Sequence, residues 1–220
     1  MDEVAAGVTD LVLGAVLLGC ALRLRLAPGV HRYWALMFWT AGAGAFAGTV
    51  HHLVFHSPPL ASDLSWVVVG VLVAVAISYL LAATATELVD PRTARVFIWL
   101  RVGGLLAYLV VISTLGVGRT MPLVLSESVT MASIVALWLY GLYKGHPRAR
   151  RMLVGIAVSA LSALAMVLPA QQAIRAHTGL DARSLQHLAQ IPGVLLLCHA
   201  LTAPAPALAE GRPAVRRPGA

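Results

Sequence analysis

Seven long apolar runs constrain this chain more than any other feature of its sequence. A helix needs about 20 mostly apolar residues to cross the hydrocarbon core of a membrane. Runs of this kind extend over residues 8–24, 33–55, 64–85, 96–117, 122–143, 152–174 and 185–201. The chain of 220 residues is 59% hydrophobic and 11% charged, whereas a soluble domain is about 45–50% apolar and about 25% charged. These values exclude a soluble enzyme, a disordered protein and a free nucleic-acid binder.

The runs predict an all-α, polytopic membrane protein, a bundle of seven transmembrane helices in residues 1–201. Residues 202–220 are rich in Pro, Ala and Arg without a period, so we expect a disordered cytoplasmic tail. The first residues carry no basic region, and we expect the first run to remain as a membrane anchor. Cys20 and Cys198 each lie within an apolar run, which predicts buried free thiols rather than a disulfide framework.

The basic residues indicate an orientation rather than a nucleic-acid partner. The formal net charge is +7, and thirteen of the sixteen Lys and Arg residues fall in the first, third and fifth connections, the start of the fourth run, and the tail. Basic residues remain on the cytoplasmic side of a membrane. The chain is therefore predicted to have its N-terminus outside and its C-terminus inside, in a bacterial inner membrane.

The second run ends in two histidines of interest. His52 and His56 are four residues apart and share a helix face with Gly44 and Gly48. We expect His56 to be an interfacial, solvated side chain and His52 to be functional. Asp63 follows at the start of the third run, where it serves either the same site or the N-cap of a helix.

Further polar residues fall near the predicted outer ends of other runs. An ionisable group inside a membrane is costly, which makes each one a candidate for function. Arg101, in the fourth run, is expected to extend its side chain to the interface. The predicted outer cluster comprises Asp10, His52, Asp63, Glu127, His187 and Gln190.

Imidazoles and carboxylates together suit Zn²⁺ with an open position for water. His52, His187 and Gln190 are the predicted metal ligands, and Asp63 and Glu127 are the predicted catalytic residues. Zinc lowers the pKa of bound water to about 7, and a carboxylate can orient that water. Haem fits poorly because paired histidines are missing at the second depth. A retinal Schiff base is excluded because Lys144 is the only lysine.

The residues Gly48-xxx-His52, Asp63 and His187 resemble motifs of the CREST superfamily of seven-helix membrane hydrolases, which includes the alkaline ceramidases and the progestin and adiponectin receptors. That resemblance implies three zinc-binding histidines and lipid amide hydrolysis. Gly48 stands where the superfamily has serine, and Ile191 stands where it has its last histidine. The pattern therefore looks more like an uncharacterised bacterial family that is distantly related to CREST.

Three functions are consistent with these residues. The leading prediction is a zinc-dependent hydrolase of a lipid amide or ester at the outer leaflet. The second is a non-enzymatic membrane protein that binds a lipid or another small ligand in the same polar pocket. The third is a proton-coupled or structural subunit in which carboxylates pair with histidines. The bilayer is the predicted partner, and the sequence leaves the oligomeric state open.

Overall fold

The computed structural model describes residues 2–27, 30–57, 59–115, 121–165 and 176–203. Regular secondary structure in these residues is entirely helical, which confirms the all-α prediction. The α-helices are α1 (Asp2–Leu26), α2 (Arg32–Val50), α3 (Pro59–Leu88), α4 (Pro91–Leu115), α5 (Met121–Tyr143), α6 (Ala149–Ala165) and α7 (Ala182–Thr202). A short π-helix, His51–Phe55, directly follows α2.

The predicted apolar runs lie on these helices, and four helices are long and apolar enough to cross a membrane. Their spans are Glu3–Leu26, Pro59–Leu88, Pro91–Val111 and Val124–Tyr143. These spans indicate a membrane protein, whereas the count of seven crossings and their orientation remain predictions. The end of the predicted sixth run and nearly all of the predicted tail lie outside the described residues.

Local sequence signals explain where several helices begin and end. Proline suits the first turn of a helix because its missing N–H needs no partner there, and α3 and α4 begin at Pro59 and Pro91. The carboxylate of Asp90 caps α4 by accepting hydrogen bonds from the backbone N–H groups of Arg92 and Thr93. Gly145 follows α5 with a φ of 73°, a conformation that glycine adopts without steric cost.

Six of the helices pack as a closed ring. Around it, α1 contacts α2, α2 contacts α3, α3 contacts α5, α5 contacts α6, α6 contacts α7, and α7 returns to α1. The remaining helix, α4, packs on the outside against α3 and α5. Trp99 and Leu100 of α4 are 68% and 70% exposed, which suits a surface that faces lipid.

The hydrophobic core is concentrated at one end of this ring. Trp34, Trp138 and Met152 are almost completely buried there. Glu87 connects other residues at the same end. Its carboxylate accepts a hydrogen bond from the Trp34 indole at 2.9 Å and lies 3.1 Å from an Arg148 guanidinium nitrogen. Cys20 and Cys198 are buried and unoxidised, as predicted. The opposite end is less densely filled and carries the polar residues considered next.

Candidate functional site

A buried polar cluster lies where α1, the π-helix and α7 meet. Asp10 of α1 stands between two imidazoles, with its Oδ1 3.1 Å from Nδ1 of His187 and its Oδ2 3.8 Å from Nε2 of His52. Thr9 also contacts the imidazole of His187, because its Oγ1 lies 3.3 Å from Nδ1 of that ring. The Thr9 hydroxyl donates to backbone carbonyls of α1, so its oxygen is the acceptor toward Nδ1–H of His187.

A line of charged contacts leads from this cluster to the surface. Oε2 of Glu3 lies 2.6 Å from Nδ1 of His52, which is only 1% exposed. Glu3 itself is 42% exposed and lies 3.8 Å from the Arg183 guanidinium. His52 is therefore the link between an exposed carboxylate and the buried carboxylate of Asp10.

Two successive histidines of the π-helix, His51 and His52, are both buried. A regular α-helix turns about 100° per residue, which predicts that His51 and His52 point to different surroundings. In the structure His52 faces α1, while His51 faces α3, where its Nδ1 lies 2.8 Å from the Ser65 hydroxyl and its ring stacks on Trp66. Single π turns of this kind occur often at functional sites.

Gly48 provides the room that Asp10 occupies. A Cβ placed on Gly48 would overlap the Asp10 carboxylate, whereas a Cβ on Gly44, one turn earlier, would make only ordinary contacts with Leu72 and Val73. The absence of a side chain at position 48 therefore determines how closely α1 and α2 approach at the level of the cluster.

The cluster opens into a cavity between α1, α2, α3 and α7. Its volume is about 360 Å³, within the range of about 300–1,000 Å³ that is usual for small-molecule sites. The polar side chains Asp10, Gln186, His187 and Gln190 lie at one end. The rest of the wall is apolar or small and consists of Leu13, Leu17, Met37, Ala41, Gly44, Ala45, Gly48, Trp66, Val69, Val73, Ala76, Ile77 and Leu80.

The structure brings some of the predicted site residues together and separates others. His52 and His187 flank Asp10, and Gln190 lines the adjoining cavity. Asp63 lies in the first turns of α3 with an exposed side chain, and its carboxylate has no hydrogen bond or ion pair within the described part of the chain. His56 is exposed, as expected.

Glu127 belongs to a second polar cluster, between α3, α4 and α5. Its Oε1 lies 2.6 Å from Nη2 of Arg101. The expectation that Arg101 extends to the interface is wrong, because its side chain is buried and finds acceptors within the bundle. Besides Glu127, these acceptors are the hydroxyls of Ser78, Ser126 and Thr130 and the carbonyl of Ala74.

The start of α7 holds His187 in place. Asp181 is the N-cap, and its carboxylate accepts hydrogen bonds from the backbone N–H and the hydroxyl of Ser184. Burial raises the pKa of Asp181, but these hydrogen bonds outweigh burial, and its pKa lies below the ordinary value.

Sequence reasoning did not assign a role to Glu3, Thr9 or His51. A signal for Glu3 was present, because Glu3 and Asp10 are seven residues apart and therefore lie on one face of α1. His51 depends on the π turn, which has no comparable pattern in the sequence.

Zinc binding by His52, His187 and Gln190 stays a prediction. Two imidazoles and Asp10 lie close together, but no three His, Cys, Asp or Glu side chains among the described residues have a geometry that could hold a metal ion. His52 and His187 each make their closest polar contact with a carboxylate. The identity of any metal at this cluster remains a prediction.

Comparison with known proteins places the chain by family alone. A family model described as "Family of unknown function (DUF6962)" matches residues 5–206. No curated protein and no solved structure matches the chain. The resemblance to the CREST superfamily therefore has no support from these comparisons.

Proposed function

Starting from a chain that belongs to a family of unknown function, DUF6962, we propose that it is an integral membrane protein that binds a single-chain lipid between α1, α2, α3 and α7. The observation that carries the proposal is the division of the cavity into a polar end and a long apolar wall. Such a division matches an amphiphile, which has one polar head group and one hydrocarbon chain.

The length of the cavity supports a chain-shaped ligand. Its wall on α3 runs from Trp66 to Leu80, which corresponds to about 21 Å at about 1.5 Å per residue. Binding sites of this kind use apolar walls for affinity and a few polar groups for orientation. Asp10, Gln186, His187 and Gln190 would orient the head group.

A cavity-filling substitution tests the proposal. Ala41→Phe places a ring in the cavity, while Val110→Phe adds the same ring to an exposed position of α4 as a control. Native mass spectrometry of protein purified in mild detergent would measure the single-chain lipid that is retained. We expect Ala41→Phe to lower retention at least about tenfold, equivalent to about 1.4 kcal/mol, and Val110→Phe to leave it unchanged. Equal amounts of retained lipid in wild type and both variants would contradict the proposal.

We propose a membrane topology of seven crossings with the N-terminus outside, in the inner membrane of a bacterium. The core cluster at the dense end includes Leu24, Trp34, Ala85, Ala94 and Ala149, which border the first, third and fifth connections. Those connections carry most of the basic residues. Basic connections at one end of a bundle support a cytoplasmic assignment for that end.

Zinc-dependent hydrolysis of a lipid amide or ester is a second candidate, and the Glu3–His52 contact favours it. A histidine that binds a metal usually donates its other ring N–H to a carboxylate or carbonyl, and His52 has Glu3 in that position. Zinc would supply an activated water. Asp63 and Glu127 remain proposed catalytic residues, although neither lies in the cluster formed by Asp10, His52 and His187.

Metal analysis separates this candidate from lipid binding alone. The protein would be purified without chelators, supplied with zinc, and dialysed before its metal content is measured. The hydrolase predicts about one zinc per chain in wild type, loss of zinc in His187→Ala, and loss of acyl-amide hydrolysis in His52→Ala. A wild-type protein without stoichiometric zinc, or an unchanged zinc content in His187→Ala, would contradict the hydrolase candidate. Neither result would contradict the proposal of lipid binding.

A further inference from the structure

A second cavity lies between α6 and α7, and we call it the α6–α7 cavity. Its volume is about 330 Å³, and its lining residues are Arg150, Arg151 and Val154 of α6 with Leu196 and His199 of α7. None of them lines the cavity in which we place the single-chain lipid. All three polar lining residues of the α6–α7 cavity are basic, and the other two are aliphatic.

The aliphatic part of the α6–α7 cavity lies next to a close contact between the two helices. A Cβ placed on Gly155 would lie 2.8 Å from the Leu197 side chain and 3.2 Å from the Leu197 backbone nitrogen. Gly155 and Leu197 directly follow Val154 and Leu196, which line the cavity. The cavity is therefore formed by two helices that are packed tightly together, and not by the side chains of one helix.

The two arginines of the α6–α7 cavity differ from their neighbour Arg148, whose guanidinium lies 3.1 Å from a Glu87 carboxylate oxygen. Arg150 and Arg151 are exposed, and within the described ranges neither makes an ion pair or a side-chain hydrogen bond. A guanidinium carries five N–H donors in a geometry that matches a phosphate group. The imidazole of His199 adds a further N–H donor. These groups can therefore bind a phosphate without first breaking a contact within the described protein.

The α6–α7 cavity changes from basic to aliphatic along the helix axes. Val154 is four residues after Arg150, and Leu196 is three residues before His199. These separations correspond to about 6 Å and about 4.5 Å, and both lead away from the end of the bundle that carries the basic connections. The same order is found in a phospholipid, whose phosphate lies at the membrane interface and whose acyl chains extend into the hydrocarbon core.

We propose that the α6–α7 cavity binds an anionic phospholipid, with the phosphate at Arg150 and Arg151 and an acyl chain along Val154 and Leu196. This second lipid site goes beyond the proposed function and shares only the proposed orientation with it. In that orientation the basic end faces the cytoplasmic leaflet, whose anionic lipids attract basic residues. Residues 204–220, which follow α7, carry three arginines and one glutamate, so their charge does not complement a basic cavity.

Competition between two phospholipids with the same acyl chains tests this proposal. Full-length protein in mild detergent would be mixed with equal amounts of dioleoylphosphatidylglycerol, which is anionic, and dioleoylphosphatidylcholine, which is zwitterionic. Native mass spectrometry would count the bound species, and we expect wild type to prefer phosphatidylglycerol by about tenfold or more. In the double variant Arg150→Gln with Arg151→Gln, the preference falls to about twofold or less. The matched control, Arg25→Gln with Lys144→Gln, removes two exposed charges outside the cavity and keeps the wild-type preference.

The outcomes distinguish this cavity from general charge attraction and from the single-chain lipid site. An equal fall in both double variants would overturn the proposal, because net charge alone would then explain the preference. Equal binding of the two phospholipids by wild type would also overturn it. Displacement of phosphatidylglycerol by an equal concentration of inorganic phosphate would identify a soluble anion as the ligand and overturn the lipid assignment. Ala41→Phe, which tests the single-chain lipid site, should leave the preference for phosphatidylglycerol unchanged.

Discussion

At the scale of single residues, Gly48 determines whether α1 can bring its buried carboxylate to the two histidines. The Asp10 carboxylate occupies the space that a side chain at position 48 would fill. Close approach of helices at small residues is common in membranes, where packing rather than the hydrophobic effect holds helices together. Here the small residue accommodates a polar group instead of another backbone.

Gly48→Ala is predicted to displace Asp10 without unfolding the protein. The added methyl group overlaps the carboxylate, so the contacts of Asp10 with His52 and His187 lengthen. We expect at least about a tenfold loss of lipid retention, equivalent to about 1.4 kcal/mol, measured by native mass spectrometry. Gly44→Ala, one turn earlier, should retain lipid normally. A Gly48→Ala protein with wild-type lipid content would contradict this role for Gly48.

The sequence identified Asp10, His52 and His187 but not Glu3 or Thr9, and the omission has a physical explanation. His52 and His187 stand out because a histidine in an apolar helix needs a partner. Their partners cannot be read from spacing, since Thr9 and His187 are 178 residues apart and Glu3 and His52 are 49 apart. Glu127 was assigned to the same cluster because depth alone does not reveal which neighbouring helix a side chain faces.

At the scale of helices, Arg101 and Glu127 fasten α4 to the ring. The guanidinium of Arg101 contacts groups on both α3 and α5. Oε2 of Glu127, in contrast, is buried without a hydrogen bond among the described residues. This pair is the polar anchor of a helix whose remaining surface is mostly exposed and apolar.

Arg101→Met is predicted to destabilise the protein strongly because it leaves Glu127 buried and unpaired. Breaking a buried ion pair costs about 3–5 kcal/mol, while replacing both partners with apolar residues is often neutral. The double variant Arg101→Met with Glu127→Met should therefore recover most of the loss. Unfolding in detergent, analysed as a double-mutant cycle, would measure this. Arg95→Met, exposed on the same helix, is the control, and an additive double variant would contradict the pairing.

Asp181→Ala is predicted to loosen the start of α7. Loss of an N-cap costs about 0.5–2 kcal/mol, and Asp181 caps the helix that carries His187. Because the pKa of Asp181 is lowered on folding, its contribution is present above its ordinary pKa and is lost as the pH falls through the lowered value. Hydrogen exchange at residues 182–186 should increase in Asp181→Ala at neutral pH. Asp63→Ala should leave that exchange unchanged, and equal effects of both would contradict the capping role.

Helix positions were the most predictable part of the fold. Within the described residues, the seven apolar runs fall on α1 to α7, because length and hydrophobicity decide which segments become helical in a membrane. The packing partners of each helix were harder to predict, because lipid-facing and helix-facing positions are both apolar. The position of α4 outside the ring of six helices depends on contacts such as those of Arg101. The apolar runs do not predict these contacts.

At the scale of the whole molecule, the proposed orientation makes a direct prediction. Reporters fused after Ala220 or after Gly145 should be cytoplasmic, whereas one fused after Gly179 should lie outside. Green fluorescent protein fluoresces only in the cytoplasm, and alkaline phosphatase is active only outside, so the paired fusions give opposite signals. An outside signal at Ala220 would reverse the orientation and the side of the membrane from which the cavity is reached.

Closure of the ring has a consequence for biogenesis. The first and last helices, α1 and α7, are direct neighbours, so the contact between Asp10 and His187 forms only after the intervening helices have been synthesised and inserted. Until then the carboxylate of Asp10 lies beside Gly48 of α2 and His52 of the π-helix but lacks its contact with His187. A nascent chain that stops before Ala182 would therefore present an acidic, incompletely sealed surface inside the bilayer, which the finished protein covers with its last helix.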